Sequence, residues 1–119
     1  MSGGHILVVD DEPHILDLYK DELEADGYRV TISDGSCNIA ALVAEIKPDV
    51  VVLDIRLGPN RSGLDILQEI KRLYPETPVI LATAHAAFQH DIKAVAANHY
   101  VIKSTTMTDL KAKIIECLR

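Results

Sequence analysis

The strongest constraint on the fold is an alternation, repeated five times, of short apolar runs with segments of helical periodicity. Residues 6–9 and 50–53 carry apolar side chains without interruption, which is typical of parallel strands buried on both faces. Strict alternation of strand and helix predicts an α/β fold with a parallel sheet and helices on both faces. The strand candidates are residues 5–9, 29–33, 50–53, 79–82 and 100–102.

The helical segments show apolar residues spaced three or four apart. Pro13 stands at the start of the first segment and Gly27 just past its end, as is common at helix termini. Thr106, followed three residues later by Asp109, predicts an N-cap for the last helix. The apolar stripes are Ile15, Tyr19 and Leu23; Ile39, Leu42, Val43 and Ile46; Leu64, Leu67, Ile70 and Leu73; Phe88, Ile92, Val95 and Ala96; and Met107, Leu110, Ile114, Cys117 and Leu118.

Size and composition exclude several classes of protein. The 119 residues suffice for one domain with a hydrophobic core and are too few for two, so we expect a single domain over residues 1–119 without an effector domain. The net charge of −6 and the lack of a Lys/Arg run argue against direct nucleic-acid binding. No segment approaches the roughly 18 apolar residues of a membrane span. Cys37 and Cys117 lack metal-ligand spacing and are interpreted as reduced thiols of a cytoplasmic protein.

Three aspartates directly follow strand candidates. Asp10 and Asp11 follow the first, and Asp54 follows the third. Ligands of open α/β sheets bind outside the carboxyl ends of the strands. Carboxylates gathered there repel one another unless a cation lies among them, and Mg²⁺ prefers oxygen ligands of this kind. A carboxylate can also act as a nucleophile that accepts a phosphoryl group.

The fourth and fifth strand candidates add complementary groups at the same edge. Thr83 closes the fourth, and Lys103 follows the fifth. Phosphoryl oxygens require cations and hydrogen-bond donors around them, which an ammonium and a hydroxyl supply. Each residue alone has a simpler interpretation, since an aspartate after a strand is often a turn residue or helix cap. The combination of all five is what points to phosphoryl transfer.

Four segments carry a resemblance to a known family: VVDDEP at 8–13, VVLD at 51–54, PVILATA at 78–84 and YVIK at 100–103. In order and spacing they resemble the receiver domain of two-component response regulators, over essentially the whole chain. The resemblance to the chemotaxis regulator implies a flavodoxin-like (βα)5 doubly wound sheet of strand order 2-1-3-4-5.

The resemblance also implies residue roles. Asp54 would be the phosphoacceptor, taking a phosphoryl group from a phosphohistidine of a histidine kinase or phosphotransfer protein. Asp10 and Asp11 would help to hold Mg²⁺, directly or through water, together with Asp54 and the backbone carbonyl of Arg56. Mn²⁺ is an alternative metal.

The remaining implied roles concern the response to phosphorylation. Lys103 would pair with the phosphoryl group, and Thr83 would donate a hydrogen bond to it. Tyr100 would turn inward as the switch aromatic, with simple edge-strand packing as the alternative. Arg56 and His85 would influence the lifetime of the phosphoryl group, or else be ordinary exposed side chains. The output partner, of unknown identity, would bind the surface of the fourth predicted helix, the fifth strand and the fifth predicted helix.

The sequence departs from the family pattern in places that bear on this switch. The loop between Asp54 and the family glycine matched by Gly63 is longer than usual. Ser104 replaces the proline that commonly follows a cis bond; a non-proline cis bond costs about 2.5–4 kcal/mol. Both isomers of the Lys103–Ser104 bond stay open, and a trans bond would displace Lys103. The segment between the fourth and fifth strands is shorter than in the family and weakly amphipathic.

Three functions are therefore weighed. The first is a phosphorylation-dependent receiver that speeds its own phosphorylation and hydrolysis but turns over no separate substrate. The second is a receiver-like binding module independent of phosphate, favoured by Ser104 and the short fourth segment and disfavoured by the five retained groups. The third is a small Mg²⁺-dependent phosphatase with an aspartyl-phosphate intermediate, disfavoured by the lack of an Asp-x-Asp motif and by the short chain.

Overall fold

The computed structural model describes residues 3–55, 57, 62–83, 99–102 and 107–118. The predicted helical stripe from Phe88 to Ala96 lies outside these residues. The strands are β1 (His5–Val9), β2 (Arg29–Ser33), β3 (Val50–Asp54), β4 (Val79–Thr83) and β5 (His99–Ile102). The helices are α1 (Pro13–Ala25), α2 (Ile39–Ile46), α3 (Gly63–Leu73) and α4 (Thr108–Cys117).

The strands form one sheet of order β2-β1-β3-β4-β5, and every neighbouring pair is parallel. This confirms the predicted α/β class and strand order. The order reverses direction after β1, which pairs with β2 on one side and with β3 on the other. The carboxyl ends of β1 and β3 therefore lie side by side, where such folds bind their ligands.

The sheet separates two hydrophobic clusters, because successive side chains of a strand point to opposite faces. Ile6 and Val8 belong to the cluster that includes residues of α1 and α4. Leu7 and Val9 belong to the cluster that includes residues of α2 and α3. All five residues of β3 are buried, as its uninterrupted apolar run predicted. Among the described residues, no helix combines the length and apolarity needed to cross a membrane.

The helix termini show which local signals decide where a helix begins. Asn38 and Ser62 cap α2 and α3, each side chain accepting a hydrogen bond from a backbone N–H of the first turn. The predicted N-cap at Thr106 is wrong, since α4 begins at Thr108 with Met107 in the N-cap position. Met107 makes no capping hydrogen bond but is buried in the core, so apolar packing takes precedence there over side-chain capping.

Candidate functional site

Three carboxylates meet at the carboxyl edge of the sheet. Asp10 and Asp11 follow β1, and Asp54 is the last residue of the adjacent strand β3. One carboxylate oxygen from each lies within 4.8 Å of the others. Asp10 and Asp54 are only 2% and 7% exposed, whereas Asp11 is exposed. The cluster thus has two buried members and one member open to solvent.

Asp10 is held in place through both its backbone and its side chain. Its backbone N–H donates to the carbonyl oxygen of Ser33 at 3.0 Å, which ties it to the end of β2. Its Oδ1 accepts the backbone N–H of Glu12 at 3.0 Å. Because the carbonyl of Glu12 accepts the first hydrogen bonds of α1, the carboxylate of Asp10 is fixed relative to the start of that helix.

Asp54 is held by the residues that follow it. Ile55 and Leu57 are both buried, which anchors the chain directly after the strand. Leu57 packs beside Gly35 in the loop after β2, where an added Cβ would lie 3.2 Å from Leu57 Cδ1. The backbone N–H of Gly63 donates to the carbonyl oxygen of Ile55 at 2.7 Å, so the first residue of α3 contacts the end of β3.

The donor set fits a divalent cation of the Mg²⁺ type. Two like charges in a buried environment repel more strongly than in water, and a cation offsets that repulsion. All the offered atoms are carboxylate oxygens, the hard ligands that Mg²⁺ favours, rather than the thiolates and imidazoles that favour zinc. Asp10, Asp11 and Asp54 are thus suited to hold Mg²⁺ at this edge.

The other predicted site residues are described only in part. Thr83 is the last residue of β4, and its backbone lies one residue beyond Ala82, the partner of Asp54 in the sheet. Tyr100 lies in β5 opposite Leu81. The predicted roles of the Thr83 and Tyr100 side chains fall outside the described part of the chain. So do Arg56, His85, Lys103 and the Lys103–Ser104 bond.

Comparison with known protein families identifies the class. The family described as response regulator receiver domain matches residues 6–115. The chain belongs to this family. As a receiver, it is a phosphoacceptor domain of two-component signalling, and the family is not one of substrate-converting enzymes. Receivers of this family interact with histidine kinases and with output domains.

Individual relatives agree with this assignment. The receiver is 37% identical to the uncharacterized transcriptional regulatory protein YkoG of Bacillus subtilis, covering 100% of this chain and 53% of that protein. It is 38% identical to the probable transcriptional regulatory protein TcrX of Mycobacterium tuberculosis, covering 96% and 49%. The chain thus spans about half the length of these curated relatives.

A solved structure provides a match along the whole fold. The response regulator TrrA of Thermotoga maritima, crystallised in complex with Mg²⁺-BeF, superposes with a TM-score of 0.86. The sequence identity is 36%, and the match covers 98% of this chain and 100% of that one. The parallel sheet and its surrounding helices are therefore those of a receiver.

Sequence reasoning missed the part that Gly63 plays in the site. It identified this glycine as a landmark at the end of the loop after Asp54, but not as a residue in contact with the Asp54 backbone. Gly63 follows the capping Ser62 directly and occupies a helical position, where glycine is a weak helix former. This unfavourable choice of residue is the one local signal that a side chain would not fit there.

Proposed function

We propose that Asp54 is the phosphoacceptor of this receiver and that Asp10 and Asp11 hold Mg²⁺ beside it. The observation that carries the proposal is the convergence of the three carboxylates within 4.8 Å. The donor is a phosphohistidine of a histidine kinase or phosphotransfer protein. An oxygen of Asp54 forms a bond to phosphorus while the bond from phosphorus to the imidazole nitrogen breaks. The electron pair of the broken bond stays on the imidazole.

The groups around Asp54 have distinct tasks in that step. Mg²⁺, when bound, supplies positive charge that offsets the charge on the transferring oxygens; Mn²⁺ could replace it. Asp10 and Asp11 supply carboxylate ligands, and the backbone carbonyl of Arg56 is proposed as a further one. Lys103 pairs with the phosphoryl group. The position of the Thr83 backbone at the same sheet edge supports its proposed hydrogen bond to that group.

Hydrolysis returns the receiver to its starting state. A water oxygen attacks phosphorus, the bond from phosphorus to the Asp54 oxygen breaks, and inorganic phosphate leaves. No separate substrate is turned over in this cycle. Arg56 and His85, two residues beyond Asp54 and Thr83, are proposed to tune the rate of water attack.

The phosphorylated state is read by a partner. Phosphorylation adds negative charge and acceptor oxygens, which Thr83 and Lys103 engage only in that state, with Tyr100 turning inward in response. The partner is proposed to bind the surface formed by three segments: the predicted helical stripe from Phe88 to Ala96, strand β5, and helix α4 (Thr108–Cys117), which is the fifth helix predicted from the sequence. Since YkoG and TcrX are about twice as long as this chain and are described as transcriptional regulatory proteins, the partner is proposed to be an effector domain or a separate output protein in the cytoplasm.

The complex of TrrA with Mg²⁺-BeF supports the same chemistry, because a fluoroberyllate group imitates a phosphoryl group on a carboxylate. The match with TrrA covers nearly the whole chain. It therefore favours a phosphate-dependent receiver over a binding module that has lost phosphate acceptance.

The test is the intact mass of the protein after incubation with acetyl phosphate, with and without Mg²⁺. We expect the native chain to gain one phosphoryl group only with Mg²⁺, and Asp54→Asn to gain none. Asp49→Asn is the matched control, because it removes an aspartate from the opposite edge of the sheet and should leave the gain intact. If neither acetyl phosphate nor a phosphorylated histidine kinase modifies the native chain, the protein is a phosphate-independent binding module instead.

A further inference from the structure

We propose that Gly63 is a positioning residue for Asp54. The lack of a side chain at Gly63 allows the first turn of α3 to lie directly against the end of β3. This contact holds the Asp54 carboxylate within ligand distance of Asp10. The inference rests on the proposed function, since it assigns to Gly63 the geometry of the metal and phosphoryl site.

The requirement for glycine at this position is one of space. Gly4, Gly27 and Gly35 have positive φ, a backbone conformation that other residues rarely adopt. Gly63 is the first residue of a right-handed helix and is not among the positive-φ glycines. Alanine would therefore suit its backbone conformation and would be the better helix former.

The space is taken by the backbone that carries Asp54. A Cβ on Gly63 would lie 1.9 Å from the carbonyl oxygen of Asp54, 2.8 Å from its carbonyl carbon and 3.0 Å from Ile55 Cα. Real Cβ atoms essentially never approach a heavy atom within 3.0 Å. These neighbours are main-chain atoms of the buried residues Asp54 and Ile55, so no side-chain rotation relieves the clash.

Both ends of the loop after Asp54 are fixed by this arrangement. Ile55 and Leu57 are buried at the start of the loop, and the N–H of Gly63 donates to the Ile55 carbonyl at its end. Ser62 adds a cap on the N–H of Leu64. The described residues at both ends of this loop are therefore anchored beside Asp54.

A side chain at Gly63 would move Asp54 relative to its fellow ligands. The clash requires a shift of about 1 Å between the helix start and the strand end. Asp10 would not follow, because its bonds to Ser33 and Glu12 tie it to β2 and α1. Displacements of this size, and the loss of groups that orient ligands, reduce metal affinity or activity by about 10–100-fold.

The experiment compares Gly63→Ala with Gly4→Ala. Gly4 has φ +117° and lies at the opposite edge of the sheet, so its substitution strains the fold without touching the site. Mg²⁺ affinity is measured by NMR titration of backbone amides in the absence of any phosphodonor. We expect the Kd for Mg²⁺ to rise by about 10–100-fold in Gly63→Ala and to stay at the native value in Gly4→Ala. A native Kd in folded Gly63→Ala would overturn the proposal.

Hydrogen exchange in the native protein keeps the proposal testable if Gly63→Ala does not fold. The Gly63 amide exchanges when its hydrogen bond to the Ile55 carbonyl opens. If this opening displaces Asp54, Mg²⁺ binds only to the state in which the hydrogen bond is formed. At ten times the Kd, exchange of the Gly63 amide should then slow by about tenfold. The Asp49 amide, which donates to His5 at the other edge, is the reference. Equal slowing of both amides, or none, would contradict the inference.

The two proposals fail in different ways. If the native chain binds no Mg²⁺, the proposed function fails and Gly63 has no site to position. If the native chain binds Mg²⁺ and the response of Gly63 matches that of the reference residues, only the positioning role fails.

Discussion

Carboxylates lie in contrasting environments on the two sides of the sheet that the strand ends define. The amino edge is the side where the parallel strands begin, and the carboxyl edge is the side where they end. At the amino edge, Asp49 Oδ2 accepts the backbone N–H of His5 at 2.7 Å, and the N–H of Asp49 donates to the His5 carbonyl at 2.7 Å. At the carboxyl edge, three carboxylates converge within 4.8 Å of one another. Asp49 at the amino edge thus stabilises the fold through complementary partners, whereas Asp10, Asp11 and Asp54 bring three like charges close together, an arrangement that a bound cation stabilises.

A lysine at the amino edge donates to a neutral acceptor. Lys71 Nζ donates to the carbonyl of Thr77, just before β4, at 2.7 Å, while partial burial lowers the pKa of this lysine. His5 Nε2 lies 2.7 Å from the Thr31 hydroxyl. Ionisable groups at a sheet edge are therefore not in themselves a sign of a ligand site. The collection of like charges is what distinguishes the carboxyl edge.

The largest expected effect comes from removing one of the repelling charges. Without Mg²⁺, Asp10→Asn should unfold at higher urea than the native chain, gaining about 1–2 kcal/mol because the repulsion is relieved. Mg²⁺ at 100 times its Kd should stabilise the native chain by about 2.7 kcal/mol and leave the variant unchanged. An Asp10→Asn protein that is less stable than native without Mg²⁺ would show that repulsion does not dominate at this edge.

A smaller effect of opposite sign is expected at the amino edge. Asp49→Asn keeps an oxygen acceptor for the His5 N–H but loses the charge that strengthens that hydrogen bond. Because the site is exposed, the loss should be about 0.5–1 kcal/mol, with the same value in the presence and absence of Mg²⁺. Urea unfolding of both proteins measures it. A stability gain in Asp49→Asn would remove the contrast between the two edges.

The smallest expected effect on stability comes from ion pairs between α4 and α1, away from both edges of the sheet. Lys111 on α4 contacts Glu22 at 3.0 Å and Asp26 at 3.2 Å, and these hydrogen bonds raise the pKa of Lys111 above its ordinary value of 10.5. Because the pKa of Lys111 is higher in the folded protein than in the unfolded chain, its charge stabilises the fold at pH values below the unfolded-state pKa. This stabilisation is lost as the pH rises through the folded-state pKa. Lys111→Met should therefore melt slightly below the native chain at pH 7.

The pH and salt dependence serve as the control for this prediction. The difference in melting temperature should shrink as salt screens the exposed charges and disappear at pH values above the folded-state pKa of Lys111. A difference that persists in strongly alkaline buffer would assign the effect to packing of the lysine stem.

Much of the fold follows from local pattern, but element ends do not. The first two strands have the predicted bounds. The third includes Asp54, one residue beyond its apolar run, because pairing with Ala82 extends the parallel ladder to the carboxylate itself. At α4, the N-cap position falls on the buried Met107 and not on Thr106 as predicted. Hydrophobic periodicity locates the middle of an element, whereas pairing and packing with distant residues decide its ends.

The convergence of the three carboxylates was predictable from the sequence, whereas the contacts that hold them in place were not. Aspartates after the first and third strand runs indicated a shared edge, but alternation alone leaves strand order open, and the order came from family resemblance. The contact between Gly63 and Asp54 joins residues separated by a loop, and no periodicity reports such an approach. The packing of Leu57 beside Gly35 is equally invisible, because it depends on how two loops meet.

The position of β4 between β3 and β5 has a consequence for partner recognition. Adjacent strands are about 4.8 Å apart, so a residue on β5 lies roughly 10 Å from Asp54 across the sheet. That separation is close to the Debye length at physiological ionic strength, about 8 Å. Salt screens a buried charge less than an exposed one, and Asp54 is buried. A change of charge at Asp54 is therefore felt at β5 without any contact between the two, so this strand of the proposed partner surface lies within the electrostatic range of the phosphoryl chemistry.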